Sequence, residues 1–178
     1  MDQFETQRLR AERLRLAHLE ELCSMHAEPR AMATLGGVRS EDETRQFLAA
    51  NLAHWDRWGY GLWVFRDAAG LFVGRGGLRH VALDGAGEVE LAYALMPEFW
   101  GRGLATEMAQ ALLALARSRL GLMRVVAFTL VTNRASERVM TKLGLEFERQ
   151  IDHAGQPHVL YRAAPTAGTK TDTQILER

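Results

Sequence analysis

Two glycines stand directly in front of a long helical segment, within the stretch PEFWGRGLATEMAQALLALA at residues 97–116. The first turn of a helix leaves backbone N–H groups without intrahelical partners, and the helix dipole adds roughly half a positive charge there. Gly101 and Gly103 keep side chains away from these groups and permit positive φ angles. The stretch therefore predicts either a plain strand-to-helix turn or a cradle for an anion such as a diphosphate.

The segments that flank this helix predict a strand–helix–strand crossover. EVELAYALMP precedes the helix, and MRVVAFTLV follows it with an almost continuous run of apolar residues, as in a strand covered on both faces. In such a unit the helix begins beside the carboxyl end of a strand, where α/β sheets bind ligands. We therefore expect the ligand site within residues 88–131.

The remaining segments predict one domain built around a mixed sheet. A strand at residues 8–16 and two helices come first, and the second helix starts with the capping-box pair Ser40 and Glu43. Three strands, the crossover helix, a strand, a short helix after Asn133 and a final hairpin follow. The pattern predicts an α/β (α+β) fold over residues 1–164, with a mixed, mostly antiparallel sheet of about seven strands and about four helices. Residues 165–178 contain few apolar side chains, which predicts a flexible tail.

Composition and charge argue against several classes of protein. Lys and Arg number 22 and Asp and Glu number 22, so the formal net charge of +0 gives no global field for nucleic acid or an anionic membrane. The one cysteine, Cys23, cannot form an internal disulfide and suits a reducing compartment. No apolar run approaches the roughly 18 residues of a membrane span, and the six histidines lack the spacing of a zinc site. We expect a cytoplasmic protein without membrane or nucleic-acid partners and without a bound metal.

Three motifs in this chain point to a known superfamily. No Lys-Ser or Lys-Thr follows the second glycine, which excludes a Walker-type loop, and GRGLAT lacks the third glycine of a dinucleotide fingerprint. WGRGLA matches the pyrophosphate motif Gln/Arg-x-x-Gly-x-Gly/Ala, with Trp in place of the first residue. EVELAYALMPEFWGRGLATE and NRASERVMTKLGLE match two further motifs in the same order. On these motifs, residues 5–162 resemble the GNAT superfamily of acetyl-CoA-dependent N-acetyltransferases, most closely the branch that acetylates the N-termini of ribosomal proteins.

The resemblance implies a fold and a way of binding acetyl-CoA. The sheet would splay between the strand at residues 90–95 and the strand that ends at Val131, and the pantetheine arm would lie in this gap. The N–H groups of the glycine turn would hold the diphosphate. The cofactor-binding positions that the resemblance implies are Leu91, Ala92, Tyr93, Ala94, Leu95, Trp100, Gly101, Arg102, Gly103, Leu104, Ala105, Thr106, Asn133 and Ser136.

The resemblance also implies which groups move protons. Glu90 matches the carboxylate that takes a proton from the amine, and Glu88, on the same face of the strand, is the alternative. Many relatives protonate the leaving thiolate with a Tyr where this chain has Met140. Ser136 is therefore the candidate donor, and a structural role in the first turn of its helix is the alternative. Asn133 would bind the pantetheine arm, cap the helix, or do both.

The resulting prediction is an enzyme that acetylates a primary amine by direct attack on acetyl-CoA. The acceptor would be a protein N-terminus, an amino acid or a small amine, and the resemblance implies a homodimer. Deprotonating an α-amine at pH 7 costs about 1 kcal/mol, against about 4.6 kcal/mol for a lysine side chain, which favours the less basic amine. The alternatives are a non-catalytic CoA-binding or regulatory domain, indicated by Met140 and Trp100, and an RNA-associated acetyltransferase that acts on ribosomes or charged tRNA.

Overall fold

The computed structural model describes residues 1–164, and the tail predicted at residues 165–178 lies outside the described residues. The strands are β1 (Gln3–Glu5), β2 (Arg10–Arg13), β3 (Leu62–Arg66), β4 (Phe72–Leu83), β5 (Ala86–Leu95), β6 (Val126–Leu130), β7 (Leu145–His153) and β8 (Gln156–Ala163). The α-helices are α1 (Leu19–Ala27), α2 (Pro29–Met32), α3 (Glu41–Trp58), α4 (Leu104–Arg119) and α5 (Arg134–Lys142). Short 3₁₀ helices span Leu16–His18 and Pro97–Phe99.

All eight strands form one sheet in the order β1-β2-β3-β4-β5-β6-β8-β7. Within residues 1–164, β5 and β6 are the one parallel pair of neighbours, and the other neighbouring strands are antiparallel. The α4 helix makes the crossover between the two parallel strands. The predicted α/β fold with a mixed, mostly antiparallel sheet is confirmed.

Besides the two 3₁₀ helices, the structure adds a short strand and a short α-helix that the sequence patterns did not predict. The sheet has eight strands rather than about seven, because β1 pairs with β2 at the sheet edge, Gln3 opposite Glu12. Three residues are too few to show the alternation of apolar and polar side chains that marks a strand. A fifth helix, α2, begins at Pro29. Proline is tolerated at this position because the N–H group that it lacks would have no hydrogen-bond partner in the first turn of a helix.

Helices cover both faces of the sheet, and alternate side chains of β3 pack against the two layers of helices. Leu62 and Val64 pack in a cluster with side chains of α1 and α3. Trp63 and Phe65 alternate with them and join the main core, which includes Met108 of α4. The α4 helix therefore packs on one face of the central strands, and α1 and α3 pack on the other.

The predicted start and end of α3 are confirmed. The backbone N–H of Ser40 donates to the carboxylate of Glu43 at 2.7 Å, and the N–H of Glu43 donates to the Ser40 hydroxyl at 3.2 Å. The helix ends at Gly59, whose φ angle of 72° lies in the left-handed region. None of the helices in residues 1–164 combines the length and hydropathy needed to cross a membrane.

Candidate active site

The turn in front of α4 has the geometry of an anion cradle. Gly101 and Gly103 have φ angles of 74° and 76°, which favour glycine. Gly103 caps α4 without a side-chain hydrogen bond, and the N–H groups of Leu104, Ala105 and Thr106 have no acceptor among residues 1–164. A Cβ atom on Gly101 would meet no heavy atom within 4 Å. Free donors and free space together fit a diphosphate group.

An arginine from the N-terminal segment lies beside this turn, although no sequence motif indicated it. Nη1 of Arg8 donates to the carbonyl oxygen of Arg102 at 2.9 Å, and its Nε donates to Glu107 at 2.7 Å. Burial raises the pKa of Glu107, but hydrogen bonds from Thr6 and Arg8 outweigh it and hold the pKa below its usual value. Arg8 and Glu107 are far apart in sequence, so no local motif could have indicated the pair. The contact fixes the turn and adds positive charge next to it.

The parallel pair β5 and β6 separates soon after it begins. The two strands pair at a single register position, Glu90 with Val126. Beyond that position β5 continues to Leu95 and β6 to Leu130 without pairing with each other. Each stays paired with its other neighbour, β5 with β4 and β6 with β8. The backbone groups of residues 91–95 that face β6 therefore lack ladder partners, and the predicted splay is confirmed. An extended ligand can bond to such groups as an added strand does.

The two faces of β5 carry different chemistry. Leu91 and Leu95 belong to the main core on the α4 side. Glu90, Ala92 and Ala94 alternate with these leucines and lie on the opposite face of the sheet. Consequently the candidate base lies on the sheet face opposite the one on which α4 packs, and the glycine turn, which begins α4, follows the carboxyl end of β5.

The two candidate bases have different hydrogen-bond partners. Oε2 of Glu90 accepts from Nη2 of Arg79 at 2.6 Å, and its Oε1 has no hydrogen-bond partner within the described part of the chain. Glu88 accepts from both terminal nitrogens of Arg162, at 2.8 and 3.1 Å, and these hydrogen bonds lower the pKa of its carboxyl. Glu90 is also the last residue of β5 to pair with β6. The arrangement favours Glu90 over Glu88.

A tyrosine of β5 reaches the candidate acid of α5. The hydroxyl of Tyr93 lies 2.8 Å from Oγ of Ser136. Burial raises the pKa of Tyr93 to about 12, against the smaller opposing effect of this hydrogen bond. Met140, where many relatives have a tyrosine, is fully buried in the main core. The motifs placed Tyr93 beside the cofactor but did not predict this contact, because a strand pattern does not show which helix a side chain reaches.

The polar side-chain atoms of Asn133 and Trp100 form hydrogen bonds within the protein. Oδ1 of Asn133 accepts from the N–H of Ser136 at 3.2 Å, so the predicted capping role is confirmed. Its Nδ2 donates to the hydroxyls of Thr129 at 2.9 Å and Thr34 at 3.1 Å. The indole N–H of Trp100 donates to the last carbonyl of β5 at 2.9 Å. Contacts from either side chain to a cofactor stay predictions.

The predicted site residues fall into three adjacent groups. Residues 100–106 form the turn, residues 90–95 border the gap between β5 and β6, and Asn133 and Ser136 lie at the start of α5 beyond the end of β6. Within residues 1–164, no group of three or more His, Cys, Asp or Glu side chains is arranged to hold a metal ion. The site consists of backbone donors and a few hydroxyl, carboxylate and guanidinium groups.

Comparison with known proteins identifies the family. The family model described as Acetyltransferase (GNAT) domain matches residues 8–146, which is more than half of the chain. The chain belongs to the GNAT acetyltransferase family. Its sheet with parted parallel strands is the GNAT fold, and members of the family transfer an acetyl group from acetyl-CoA.

Individual proteins share the fold or part of the sequence. An acetyltransferase from Agrobacterium tumefaciens strain C58 superposes with a TM-score of 0.81 at 26% identity, over 92% of this chain and 95% of that one. RimL, a ribosomal-protein α-N-acetyltransferase solved in complex with coenzyme A, superposes with a TM-score of 0.75 at 21% identity, over 92% and 97% of the two chains. The uncharacterised protein YkkB of Bacillus subtilis is 26% identical over 135 residues, which cover 75% of this chain and 78% of YkkB.

Proposed function

We propose that this chain acetylates a primary amine, which attacks acetyl-CoA directly while both substrates are bound. Family membership supports acetyl-CoA as the donor. The name of RimL, an α-N-protein acetyltransferase, supports a nitrogen acceptor and includes protein N-termini among the candidates. The observation that carries the proposal is the gap between β5 and β6 beside a glycine turn with free N–H groups.

The donor site follows from these free backbone groups. When bound, acetyl-CoA supplies a thioester carbonyl that an amine can attack. The N–H groups of residues 101–106 hold the diphosphate, and Arg8 strengthens the positive potential of the turn. The backbone groups of residues 91–95 that have no partner in the protein hold the extended arm, the Leu95 carbonyl being bonded to Trp100. A backbone N–H near residues 92–94 donates to the acetyl carbonyl oxygen.

The proton transfers use side chains on both sides of the gap. Glu90 accepts a proton from the amine, directly or through a water molecule, as its nitrogen bonds to the acetyl carbon. The C–S bond breaks, the hydroxyl of Ser136 gives its proton to the sulfur, and the hydroxyl of Tyr93 gives its own proton to Ser136. Tyr93 then regains a proton from solvent, and Glu90 releases to solvent the proton that it took from the amine. A thiol with a pKa near 8.5 is a good leaving group, so one hydroxyl pair is an adequate acid.

A non-catalytic CoA-binding domain is the competing proposal, indicated by Met140 in place of a tyrosine and by Trp100 in the glycine motif. The contact between Tyr93 and Ser136 supports a catalytic function, since it supplies a phenol hydroxyl next to the start of α5. The amine and the thiol then each have a partner group in one gap.

Release of CoA thiol from acetyl-CoA in the presence of a panel of amines tests the proposal. We expect release with at least one amine, and a fall of about a hundredfold in kcat for Glu90→Gln. Glu88→Gln is the matched control, because Glu88 lies two residues away on the same strand face, and we expect its kcat within about twofold of the wild type. Coenzyme A binding without thiol release for every amine would favour the non-catalytic domain.

We also propose a homodimer that works in the cytoplasm. The single cysteine suits a reducing compartment, and homodimers are frequent in the superfamily that the motifs resemble. Light scattering on the purified chain measures its mass, and a mass of one chain would exclude the dimer.

A further inference from the structure

Three arginines meet on the sheet face that carries Glu90. Arg75 and Arg79 come from β4, and Arg39 comes from the segment before α3; we call these three side chains the arginine cluster. The guanidinium carbons of Arg75 and Arg39 lie 4.7 and 5.1 Å from the ring centroid of Phe47 in α3. The cluster is therefore enclosed between the sheet and α3.

Arg75 is buried without a hydrogen-bond partner. It is 4% exposed, and none of its five N–H donors has an acceptor among residues 1–164. Burial lowers the pKa of Arg75 to about 9, helped by the positive charges of Arg79 and Arg39, so the side chain still carries its charge at neutral pH. A buried charge is costly unless a counter-charge or a ligand pairs with it.

Within residues 1–164, the groups near the cluster carry too few negative charges to balance it. Glu90 pairs with Arg79 at 2.6 Å, and one terminal nitrogen of Arg39 donates to the carbonyl oxygen of Leu35 at 3.2 Å. Buried nitrogens of Arg39 and Arg79 remain without partners, and the carboxylate of Glu43 is bonded to Ser40 at the start of α3. One buried carboxylate therefore faces three guanidinium groups.

A buried histidine beside the cluster is uncharged. His26 is fully buried with its ring against Phe47, and its Nδ1 lies 3.0 Å from the hydroxyl of Thr44. Burial, with the charges of Arg75 and Arg39, lowers the pKa of His26 to about 3, so the ring is neutral and its Nε2 is unpaired. The Thr44 hydroxyl donates to the carbonyl oxygen of Ser40, so the neutral ring donates from Nδ1 and its Nε2 is an acceptor. The donors and the positive charge that an anion needs therefore come from the arginine cluster alone.

The cluster adjoins the proposed base, Glu90, on the sheet face opposite α4. Arg79 is directly opposite Glu90 in the sheet and Arg75 is directly opposite Ala94. The glycine turn begins α4, which packs on the other sheet face, so the diphosphate of the donor is held elsewhere. The side chain of Arg79 is 28% exposed, which leaves the cluster open where it meets Glu90.

We propose that the acetyl acceptor is an amine with a carboxylate a few bonds away, and that Arg75 and Arg79 bind this carboxylate. The inference rests on the proposed function, because it names the acceptor class for the same site. A guanidinium group pairs with a carboxylate through two parallel hydrogen bonds, which fixes the orientation of the ligand. With the carboxylate held there, the amine lies next to Glu90.

Matched acceptors test the carboxylate requirement. The probes are alanine, methionine and aspartate, each against its amide, and the dipeptide amides Asp-Ala-NH₂ and Asn-Ala-NH₂, with thiol release as the readout. We expect kcat/KM to be about tenfold to a hundredfold higher for the carboxylate member of a pair. The amino-acid pairs report an α-carboxylate, and the dipeptide pair reports a side-chain carboxylate at a peptide N-terminus. Equal rates in every pair would overturn the inference and leave acetylation itself standing.

The variant Arg75→Met tests the role of the cluster without relying on turnover. Methionine fills a similar volume without charge, so we expect the variant to fold with an unchanged or higher melting temperature and to lose the preference for carboxylate probes. Arg119→Met, on the exposed end of α4, is the control and should keep the preference. Without acetyl-CoA, the preferred probe should raise the melting temperature of the wild type but not of Arg75→Met. No shift for any carboxylate probe, or the same shift in both proteins, would overturn the inference even if no amine is acetylated.

Discussion

The hydroxyl of Tyr93 lies 2.8 Å from the hydroxyl of Ser136, and this contact joins β5 to α5 across the end of the gap between β5 and β6. The tyrosine is mostly buried and its pKa is raised to about 12, so it holds its proton at any working pH. A protonated phenol next to a serine forms a pair that can pass a proton to a leaving thiolate and take one from solvent.

Removing either hydroxyl should slow the chemical step. For Ser136→Ala and Tyr93→Phe we expect kcat to fall about tenfold to a hundredfold, with KM for acetyl-CoA changed by less than about threefold. Tyr161→Phe is the matched control, because its hydroxyl contacts Glu137 of the same helix at 3.3 Å. Steady-state kinetics check the result, and an unchanged kcat in both site variants would assign the pair a structural role.

The sequence predicted the elements around the site because their signals are local. The capping pair of α3, the glycine turn and the crossover of β5, α4 and β6 each occupy one short stretch of sequence. The local patterns therefore assign residues 91–95 to a strand and residues 101–106 to the turn, whereas the gap beside the strand was implied by the resemblance to the superfamily. Apolar periodicity and turn residues determine such elements directly.

The contacts that complete the site could not be predicted, since each joins distant parts of the chain. Arg8 and Glu107, and Tyr93 and Ser136, are brought together by the sheet order and by the packing of α4 and α5. The arginine cluster depends on Arg79 being opposite Glu90 in the register. A single sequence shows neither register nor tertiary packing, so these pairs carried no signal in it.

A side chain at Gly101 should weaken binding of the donor. Gly101 has a positive φ angle and open space in front of it, so a Cβ atom would strain the turn and stand where the diphosphate binds. We expect Gly101→Ala to raise KM for acetyl-CoA by tenfold or more. Gly121→Ala is the control, because Gly121 has a φ angle of 65° and equally open space after the end of α4. Equal KM values for the two variants would show that the turn does not contact the donor.

The contact between Arg8 and the turn should affect the binding of acetyl-CoA and not the binding of the amine. Arg8→Met removes the hydrogen bonds to Arg102 and Glu107 and one positive charge. We expect KM for acetyl-CoA to rise about fivefold, with kcat nearly unchanged, and the difference from the wild type to shrink in high salt. Arg10→Met, on neighbouring β2, is the control for a charge lost from the same region. A rise in KM for the amine instead would contradict this role.

The buried His26 should make the fold sensitive to mild acid. Its pKa is lowered from 6.5 to about 3 by burial and by the nearby charges of Arg75 and Arg39. Between these two pH values His26 is therefore protonated in the unfolded chain and neutral in the folded chain. Stability from this residue is therefore complete above pH 6.5 and is lost as the pH falls below that value. The loss between pH 6.5 and 4 is on the order of 3 kcal/mol. Urea unfolding at these two pH values measures it.

The His26→Asn variant isolates this effect from the other histidines. His18, His54 and His80 also have pKa values lowered mainly by burial, and they contribute to the same pH range. The variant should be less stable than the wild type at pH 7, because a buried ring is lost, yet its free energy of unfolding should change less between pH 6.5 and 4. The comparison uses the pH-dependent difference and not the absolute stability. Identical pH dependence in the two proteins would mean that His26 is protonated in the folded state.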